Sequence, residues 1–393
     1  GLEFIYLNIP GLMRLTGVFG FMSIAKTQWA NPAILSLASL TGMYGITFLV
    51  VLVNCMIAYA VVHYSETKRI FKPAIIVICA LVAIVTYGLV STPRQVEGNI
   101  TVAVIQKPPT SQSTTDDYVS LSEKALKYDP QIIVWPALMI DGLDLSKGQS
   151  LIQDHNIYLM GLPSEGQQFG YGVMSPDGSV SLDNLGYHLG SIPQYIMARD
   201  IKGLFFPEVY GLDTDLGVIG VVDCIESGSA LPTRERVRDG VQLLIVPTGS
   251  PNYSVFSWAL GTSAIYRAAE HRIFAIEVIG DHDASMIIDP YGRLVADTAP
   301  EPEIVAGKIA FTDERTFYSK YGDIFGLTIV GLFMVLLSYN FYLKRKSPYA
   351  FCRECRSQIG KGAKVCTQCG KQQKRRWFEG TDIYKLWKLI SKK

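Results

Sequence analysis

The sequence contains little charge. Asp, Glu, Lys and Arg together make up 18% of the 393 residues, whereas soluble globular chains carry roughly a quarter. The two signs nearly cancel at a formal net charge of +1, so there is no bulk electrostatic basis for a nucleic-acid partner, and we expect none. Because 49% of the residues are hydrophobic, intrinsic disorder is excluded and membrane segments are expected.

Several functional signals are also missing. The sequence has neither a glycine-rich phosphate loop nor a Gly-x-Ser-x-Gly motif, and its five histidines show no metal-ligand spacing. It begins at Gly1 and shows no secretory signal pattern. From this start we expect a processed or incomplete N-terminus with upstream spans missing.

Seven cysteines are too few and too unevenly placed for a secreted disulfide framework. Four of them form two Cys-x-x-Cys pairs, namely Cys352, Cys355, Cys366 and Cys369. This spacing lets four thiolates surround one ion tetrahedrally, which suits zinc. A site with four protein ligands has no open position, so we predict a structural zinc ribbon. Redox thiols or an iron centre are the competing interpretations.

Three stretches are apolar enough to cross a bilayer, at about 33–62, 73–91 and 324–343. Basic residues lie at Lys68, Arg69 and Lys72 and again at 344–346, and such residues face the cytoplasm. The sequence therefore predicts a multi-pass plasma-membrane protein. Its expected parts are a membrane region (1–92), an extracytoplasmic domain (93–321), a third span, and a cytoplasmic zinc ribbon with a basic tail (344–393).

The region between the second and third spans alternates short β-branched runs with amphipathic helices, which indicates an α/β domain. The predicted strands are Ile100–Gln106, Gln131–Pro136, Ile157–Pro163, Gly170–Ser175, Gly217–Cys224, Val241–Pro247, Ile273–Ile279, Ser285–Asp289 and Ile304–Phe311. The predicted helices are Asp116–Tyr128 and Val255–Arg272.

Cys224 ends one of these apolar strands. A cysteine at a strand end is well placed for nucleophilic attack, although a lone cysteine is more often an inert buried residue.

Several motifs together resemble a known family. They are Trp29–Pro32, Leu37–Asn54, Trp135-Pro136, Tyr266–Arg272, Ile288–Leu294 and Thr316–Asp323. In this order they resemble the apolipoprotein N-acyltransferases of the carbon–nitrogen hydrolase (nitrilase) superfamily. The resemblance covers roughly residues 1–345 and excludes the cysteine ribbon. It implies an αββα sandwich inserted between transmembrane helices.

The resemblance also implies a chemistry, in which phospholipid donates an acyl chain to a lipoprotein through a cysteine thioester. That chemistry needs a Glu base, a Lys that stabilises the oxyanion, and a Cys nucleophile. Here the Glu position after Trp-Pro is Ala137 and the Lys position aligns with Gly186, while a further family Glu aligns with Gln194. Only Cys224 remains.

We therefore expect an N-acyltransferase-like protein with a degenerate catalytic triad that binds phospholipid and lipoprotein. One alternative is an active acyltransferase or amidase that uses Cys224 with a relocated base, drawn from Asp141, Glu165 or Glu208, and with Lys202 in place of the lost lysine. Another alternative is a transmembrane adaptor whose zinc ribbon binds a cytoplasmic protein.

Overall fold

The computed structural model describes residues 23–63, 67–106, 114–136, 145–161, 170–184, 211–222, 227–248, 254–279, 285–297, 303–346, 349–352, 354–360 and 363–372. The described residues up to Thr328 form one compact unit, and those from Ile329 onward form a second. The predicted membrane region and the sandwich thus share one unit.

The N-terminal part of the first unit is helical. It contains a one-turn 3-10 helix, Ile24–Gln28, followed by α1 Pro32–Leu35, α2 Ala38–Thr41, α3 Met43–Val62 and α4 Thr67–Ser91. Helix α1 starts where sequence chemistry places a start: Asn31 accepts a hydrogen bond from Ile34 and Pro32 takes the first helical position.

The predicted span 33–62 is not one helix. Gly42 has φ +64° and ψ −176°, and this conformation ends α2 and starts α3. A side chain at this glycine would meet Tyr318, with a Cβ 2.5 Å from the ring. The long helix is therefore Met43–Val62, and the apolar residues before it form two single turns. Hydrophobicity alone did not reveal this break, because the residues on both sides of it are apolar.

The sandwich alternates strands and helices. Its elements are β1 Ile100–Ile105, α5 Thr115–Ala125, β2 Ile132–Val134, α6 Gln149–His155, β3 Tyr158–Gly161, β4 Gly170–Met174, β5 Val180–Asn184, β6 Leu212–Thr214, β7 Gly217–Val221, α7 Ala230–Arg238, β8 Leu243–Thr248, α8 Ser254–His271, β9 Phe274–Ile279, β10 Met286–Ile288, β11 Leu294–Asp297 and β12 Ile304–Ile309.

Two six-stranded sheets make up the sandwich. Their strand orders are β12-β1-β2-β3-β4-β5 and β11-β10-β9-β8-β7-β6. Strands β1, β2 and β3 run parallel in the first sheet, as do β7, β8 and β9 in the second. Apolar side chains from both sheets form the central core, while α5 and α6 cover the outside of the first sheet and α7 and α8 that of the second. The αββα expectation is confirmed.

All nine predicted strands occur, each shorter by one to three residues. The sandwich strands β5, β6 and β11 were not predicted. Strand β5 lies at a sheet edge and exposes Val180, and β6 is only three residues long. Such strands lack the continuous apolar run that marks a buried parallel strand.

The chain then continues through α9 Phe317–Tyr321 and α10 Ile324–Lys346 to a small hairpin, β13 Tyr349–Phe351 and β14 Gln358–Gly360. Among the described residues, α3, α4 and α10 each contain a 20-residue stretch long and apolar enough to cross a membrane. Only 17%, 11% and 6% of these three stretches are buried, as expected for surfaces that face lipid.

Candidate functional site

The candidate site lies where the parallel strands of both sheets end. We call this the carboxyl edge, and its described residues are Gln106, Pro136 and Gly161 in the first sheet and Val222, Thr248 and Ile279 in the second. Functional groups of open α/β sheets gather at such edges.

The end of β2 is held rigidly. The backbone amide of Trp135 donates to Met160 at 2.8 Å, and its indole donates to Ser122 at 2.9 Å. The hydroxyl of Tyr171 donates to the Trp135 carbonyl at 2.6 Å. Trp135 itself is fully buried. The backbone that leads into residue 137 is therefore fixed by three hydrogen bonds.

A glutamine joins the two sheets at this edge. Gln106 follows β1, and its side-chain oxygen accepts a hydrogen bond from the amide of Ser285 at 2.7 Å. Ser285 precedes β10, and its hydroxyl accepts from the amide of Ile279 at 3.0 Å. All three residues are buried. This pair keeps the ends of β1 and β9 at a fixed separation.

A buried acid lies near the same edge. Glu277 on β9 is fully buried, and the Thr248 hydroxyl at the end of β8 donates to its carboxylate at 2.6 Å. Lys26, from the segment before α1, is also buried and donates to the hydroxyl of Ser263 on α8. Burial lowers the pKa of Lys26 well below its usual value, Arg267 lowers it further, and Glu277 opposes both effects.

The three predicted catalytic positions, Cys224, Ala137 and Gly186, lie outside the described residues. So do Gln194, Lys202 and the alternative bases Asp141, Glu165 and Glu208. The described chain stops one residue before Ala137, at Pro136, and two residues before Cys224, at Val222.

A buried ion pair joins the sandwich to the first long apolar helix. Arg267 and Glu270 on α8 form an ion pair at 3.1 Å, and both side chains are buried. Glu270 also accepts a hydrogen bond from the amide of Met43 at 2.8 Å. Burial raises the pKa of Glu270 to about 7, although Arg267 and the Met43 amide favour the carboxylate.

The motif Thr316–Asp323 strengthens this junction. Thr316 caps α9 and donates its hydroxyl to the Glu270 carbonyl at 2.6 Å. Asp323 accepts from Tyr318 at 2.9 Å and pairs with Arg234 at 2.5 Å. This motif therefore holds the sandwich on the apolar helices and lies outside the carboxyl edge.

A surface cleft of about 600 Å³ lies at the opposite end of the sandwich, where the parallel strands begin. Asp177, Asp213 and Asp215 lie on its wall. It is remote from the positions that carry the predicted chemistry, and its acids have no cationic side chain among the lining residues.

The C-terminal unit brings the four predicted metal ligands together. The sulfur atoms of Cys352, Cys355, Cys366 and Cys369 all lie within 4.8 Å of one another. The closest distances are 3.5 Å between Cys352 and Cys369 and 3.6 Å between Cys355 and Cys366. A tetrahedral site with metal–sulfur bonds of about 2.3 Å has edges of about 3.8 Å, so the cluster fits one metal ion.

The two cysteine turns share one backbone geometry. The amides of Cys352 and Cys366 each donate to the carbonyl five residues later, and their carbonyls each accept from the amide four residues later. That fourth residue has positive φ in both turns, 60° at Arg356 and 69° at Gly370. The Ser357 hydroxyl lowers the pKa of the Cys366 thiol, whereas burial and the neighbouring thiols raise that of Cys369, so the protons of the cluster are shared unequally among its sulfur atoms.

Family models match two parts of the chain. Residues 12–56 match the apolipoprotein N-acyltransferase N-terminal domain, and residues 188–317 match carbon–nitrogen hydrolase. The apolipoprotein N-acyltransferase of Geobacter metallireducens is 25% identical over 84% of this chain and 71% of its own length. The chain is therefore similar to the apolipoprotein N-acyltransferases, and its residues 188–317 are similar to carbon–nitrogen hydrolases.

A second N-acyltransferase and two solved structures are also similar to this chain. The apolipoprotein N-acyltransferase of Thermotoga maritima is 23% identical over 80% of this chain, which spans 65% of that protein. Among solved structures, a nitrilase-superfamily amidase from Nesterenkonia sp. AN1 is 16% identical at a TM-score of 0.44, over 57% of this chain and 95% of the amidase. A carbon–nitrogen hydrolase from Helicobacter pylori G27 is 17% identical at 0.41, over 53% and 88%.

The sequence analysis of this N-acyltransferase-like protein missed the buried charges. A signal for Lys26 was present, because it is the single charged residue between Arg14 and Glu66. A lone charge in such an apolar stretch needs a buried partner. Glu277 gave a similar signal inside the apolar strand Phe274–Ile279. The partners of each depend on the fold, because Lys26 contacts Ser263 and Glu277 contacts Thr248, which are distant in the sequence.

Proposed function

We propose that this membrane protein binds phospholipid and acylated lipoprotein at its carboxyl edge but has lost most of the acyl-transfer activity of its relatives. The observation that supports this proposal most directly lies at the end of β2. Trp135 is fixed by three hydrogen bonds and Pro136 is buried, yet the next residue is Ala137. The scaffold that would present a catalytic base is retained, and the base is absent.

The expected loss of rate is large. A cysteine thiol with an ordinary pKa of about 8.5 is only a few per cent thiolate at neutral pH. Loss of a general base costs about 10²–10⁴-fold, and loss of one oxyanion donor costs about 10²–10³-fold. With Ala137 and Gly186 at the two positions, Cys224 would react with phospholipid near the background rate.

Intact-protein mass spectrometry after incubation with phospholipid vesicles tests this proposal. We expect no hydroxylamine-labile adduct on Cys224 in the wild type. A variant carrying both Ala137→Glu and Gly186→Lys should form the adduct if only the chemistry is lost, and adding Cys224→Ala should abolish it. An acyl thioester on wild-type Cys224 would overturn the proposal in favour of an active enzyme with a relocated base.

We infer a topology with the sandwich outside the cytoplasm and the ribbon inside it. Support comes from the three apolar helices and from the basic residues at 68–72 and 344–346, because basic residues stay on the cytoplasmic side. A cysteine introduced at Asp313 should react with an impermeant thiol reagent on intact cells. A cysteine at Lys346 should react only after lysis. The labelling of each introduced cysteine is measured on tryptic peptides. Labelling at Lys346 on intact cells, with labelling at Asp313 only after lysis, would overturn this orientation.

We also infer that the four-cysteine cluster binds one structural zinc ion. The sulfur distances fit a tetrahedral site, and four protein ligands leave no position for catalysis. Purified protein should carry one equivalent of zinc, and Cys366→Ser should lose it, whereas Cys55→Ser should not. Binding of iron in place of zinc would contradict this assignment. A disulfide between two of these four cysteines in the cell would contradict it as well.

A further inference from the structure

Helix α9 has one buried face and one exposed face. Its successive residues are rotated by about 100° around the helix axis. Tyr318 and Ser319 are buried. Phe317, Lys320 and Tyr321 are exposed, and they lie within one arc of about 100°. The helix therefore presents two aromatic rings and one cation on the side that faces away from the sandwich.

The two exposed rings form a single apolar patch. The ring centroids of Phe317 and Tyr321 lie 4.6 Å apart, with 39° between the ring planes. Phe317 nevertheless keeps 45% of its surface exposed and Tyr321 keeps 61%. Large apolar side chains that are grouped and exposed in this way mark an interaction surface.

The buried face of α9 fixes this patch in place. The Tyr318 ring lies 5.7 Å from that of His271 between centroids, and it lies directly against Gly42, the residue before α3. The Tyr318 hydroxyl donates to Asp323 at 2.9 Å. Ser319 is hydrogen-bonded to His271 Nδ1 at 2.8 Å. The exposed rings thus have a defined position relative to the start of the first long apolar helix.

The patch lies where two apolar helices begin. Helix α10 starts three residues after Tyr321, and the Phe325 ring in its first turn contacts Phe48 of α3 edge to face at 5.9 Å. Since Phe48 lies within the first two turns of α3, the two helix starts lie side by side. When α3 and α10 span a membrane, one bilayer surface passes at the level of these starts.

The exposed apolar surface continues from α9 onto the membrane helix. Ile324 and Leu327, in the first turn of α10, are exposed like Tyr321. Aromatic side chains are enriched at the boundary between the acyl chains and the headgroups, and an exposed lysine such as Lys320 suits lipid phosphate. This continuity and this chemistry favour phospholipid as the occupant of the patch.

We propose that Phe317 and Tyr321 form an interfacial anchor that lies among the phospholipid headgroups on the sandwich side of the membrane. The anchor sets the depth at which the sandwich lies on the bilayer. It rests on the membrane insertion of α10 inferred above, but it depends neither on which side of the membrane the sandwich occupies nor on the chemistry of Cys224.

Photo-crosslinking of the full chain in phospholipid nanodiscs tests the anchor. A benzophenone amino acid in place of Phe317 or Tyr321 should form lipid adducts, which mass spectrometry of tryptic peptides detects. The yield at Tyr321 should exceed that at Tyr128 by at least about tenfold. Tyr128 is the matched control, because it is exposed and follows α5 on the opposite outer layer of the sandwich. Phe333, exposed in the middle of the apolar stretch of α10, is the positive control.

The outcomes separate the possible occupants. Lipid adducts at Phe333 without any at Phe317 or Tyr321 would overturn the anchor. Crosslinks from Tyr321 to another peptide of the protein, in place of lipid, would assign the patch to a protein contact and would overturn it as well. Adducts at Tyr321 without any at Phe333 would contradict the membrane insertion of α10 and leave the contact of α9 with lipid intact.

Tryptophan fluorescence measures the depth of the anchor independently. In Tyr321→Trp, lipid brominated near the headgroup end of its acyl chain should quench the added emission at least about twofold more than lipid brominated near the methyl end. Phe333→Trp should show the reverse order, and Tyr128→Trp should not be quenched. Subtraction of the wild-type signal removes the emission of the five native tryptophans. Absence of quenching in Tyr321→Trp, or the order expected for Phe333→Trp, would contradict an interfacial position.

Discussion

The carboxylate of Glu270 accepts a hydrogen bond from the backbone amide of Met43 at 2.8 Å. A side chain of the sandwich thus caps the first long apolar helix, Met43–Val62. The first amides of a helix have no partner inside it, and the helix dipole favours a negative group there. Arg267 supplies the opposite charge at 3.1 Å. This junction fastens α3 to the sandwich inside one compact unit.

The junction should make stability depend on pH. Burial raises the pKa of Glu270 from 4.5 to about 7, so between these values the folded state binds more protons at this site than the unfolded state. The stabilisation is therefore complete below about pH 4.5 and is lost as the pH rises through about 7. Thermal unfolding in detergent should show Tm falling over this interval.

The variant Glu270→Gln isolates the contribution that the titration of Glu270 makes to stability. Glutamine keeps an acceptor for the Met43 amide and removes the titration. The difference in Tm between wild type and variant should decrease as the pH rises from about 4.5 to about 7 and then level off. A difference that is constant across this range, or that increases with pH, would contradict the assigned direction.

The break at Gly42 should be sensitive to any side chain. Its φ of +64° disfavours other residues, and a Cβ would lie 2.5 Å from the Tyr318 ring. We expect Gly42→Ala to lower the free energy of unfolding by about 2 kcal/mol or more. Gly331→Ala on α10 is the control, because nothing lies within 4 Å of its Cβ position. That variant should be neutral or more stable, since alanine favours a helix.

Hydrophobic pattern predicted the buried elements of this fold well. The strand Phe274–Ile279 is apolar except for one residue, and it lies inside the sheet as predicted. Helix α8 ends at His271, one residue from its predicted end. The edge strand Val180–Asn184 was missed because it lacks a continuous apolar run and exposes Val180 at the edge of its sheet.

The candidate sites differ in how much of each could be predicted from the sequence. The cysteine cluster was predicted in full because spacing alone brings Cys352 and Cys355 onto one turn. The contact of Lys26 with Ser263 was not predictable, because it requires α8 to be placed first. The motifs Tyr266–Arg272 and Thr316–Asp323 were recognised, but the structure assigns them to the junction with the apolar helices.

Tyr171 should stabilise the end of β2. Its hydroxyl donates to the buried carbonyl of Trp135 at 2.6 Å, and Tyr171→Phe leaves that acceptor without this donor. We expect a loss of about 1–3 kcal/mol in the free energy of unfolding, measured by denaturant titration in detergent. Tyr128→Phe, at a tyrosine with 41% of its surface exposed, should have no measurable effect. An equal loss in both variants would show that the Trp135 contact is unimportant.

The two cysteine turns predict opposite effects of matched substitutions. Arg356 and Gly370 occupy equivalent positions with φ of 60° and 69°, a conformation that costs a residue other than glycine about 1–2 kcal/mol. Because metal binding and folding are coupled in such a ribbon, Arg356→Gly should raise the zinc affinity by about fivefold to thirtyfold. Gly370→Ala should lower the affinity by a similar factor. Competition with a chromophoric chelator measures both. If Arg356→Gly weakened zinc binding, the guanidinium rather than the backbone would govern this turn, and the equivalence of the two turns would fail.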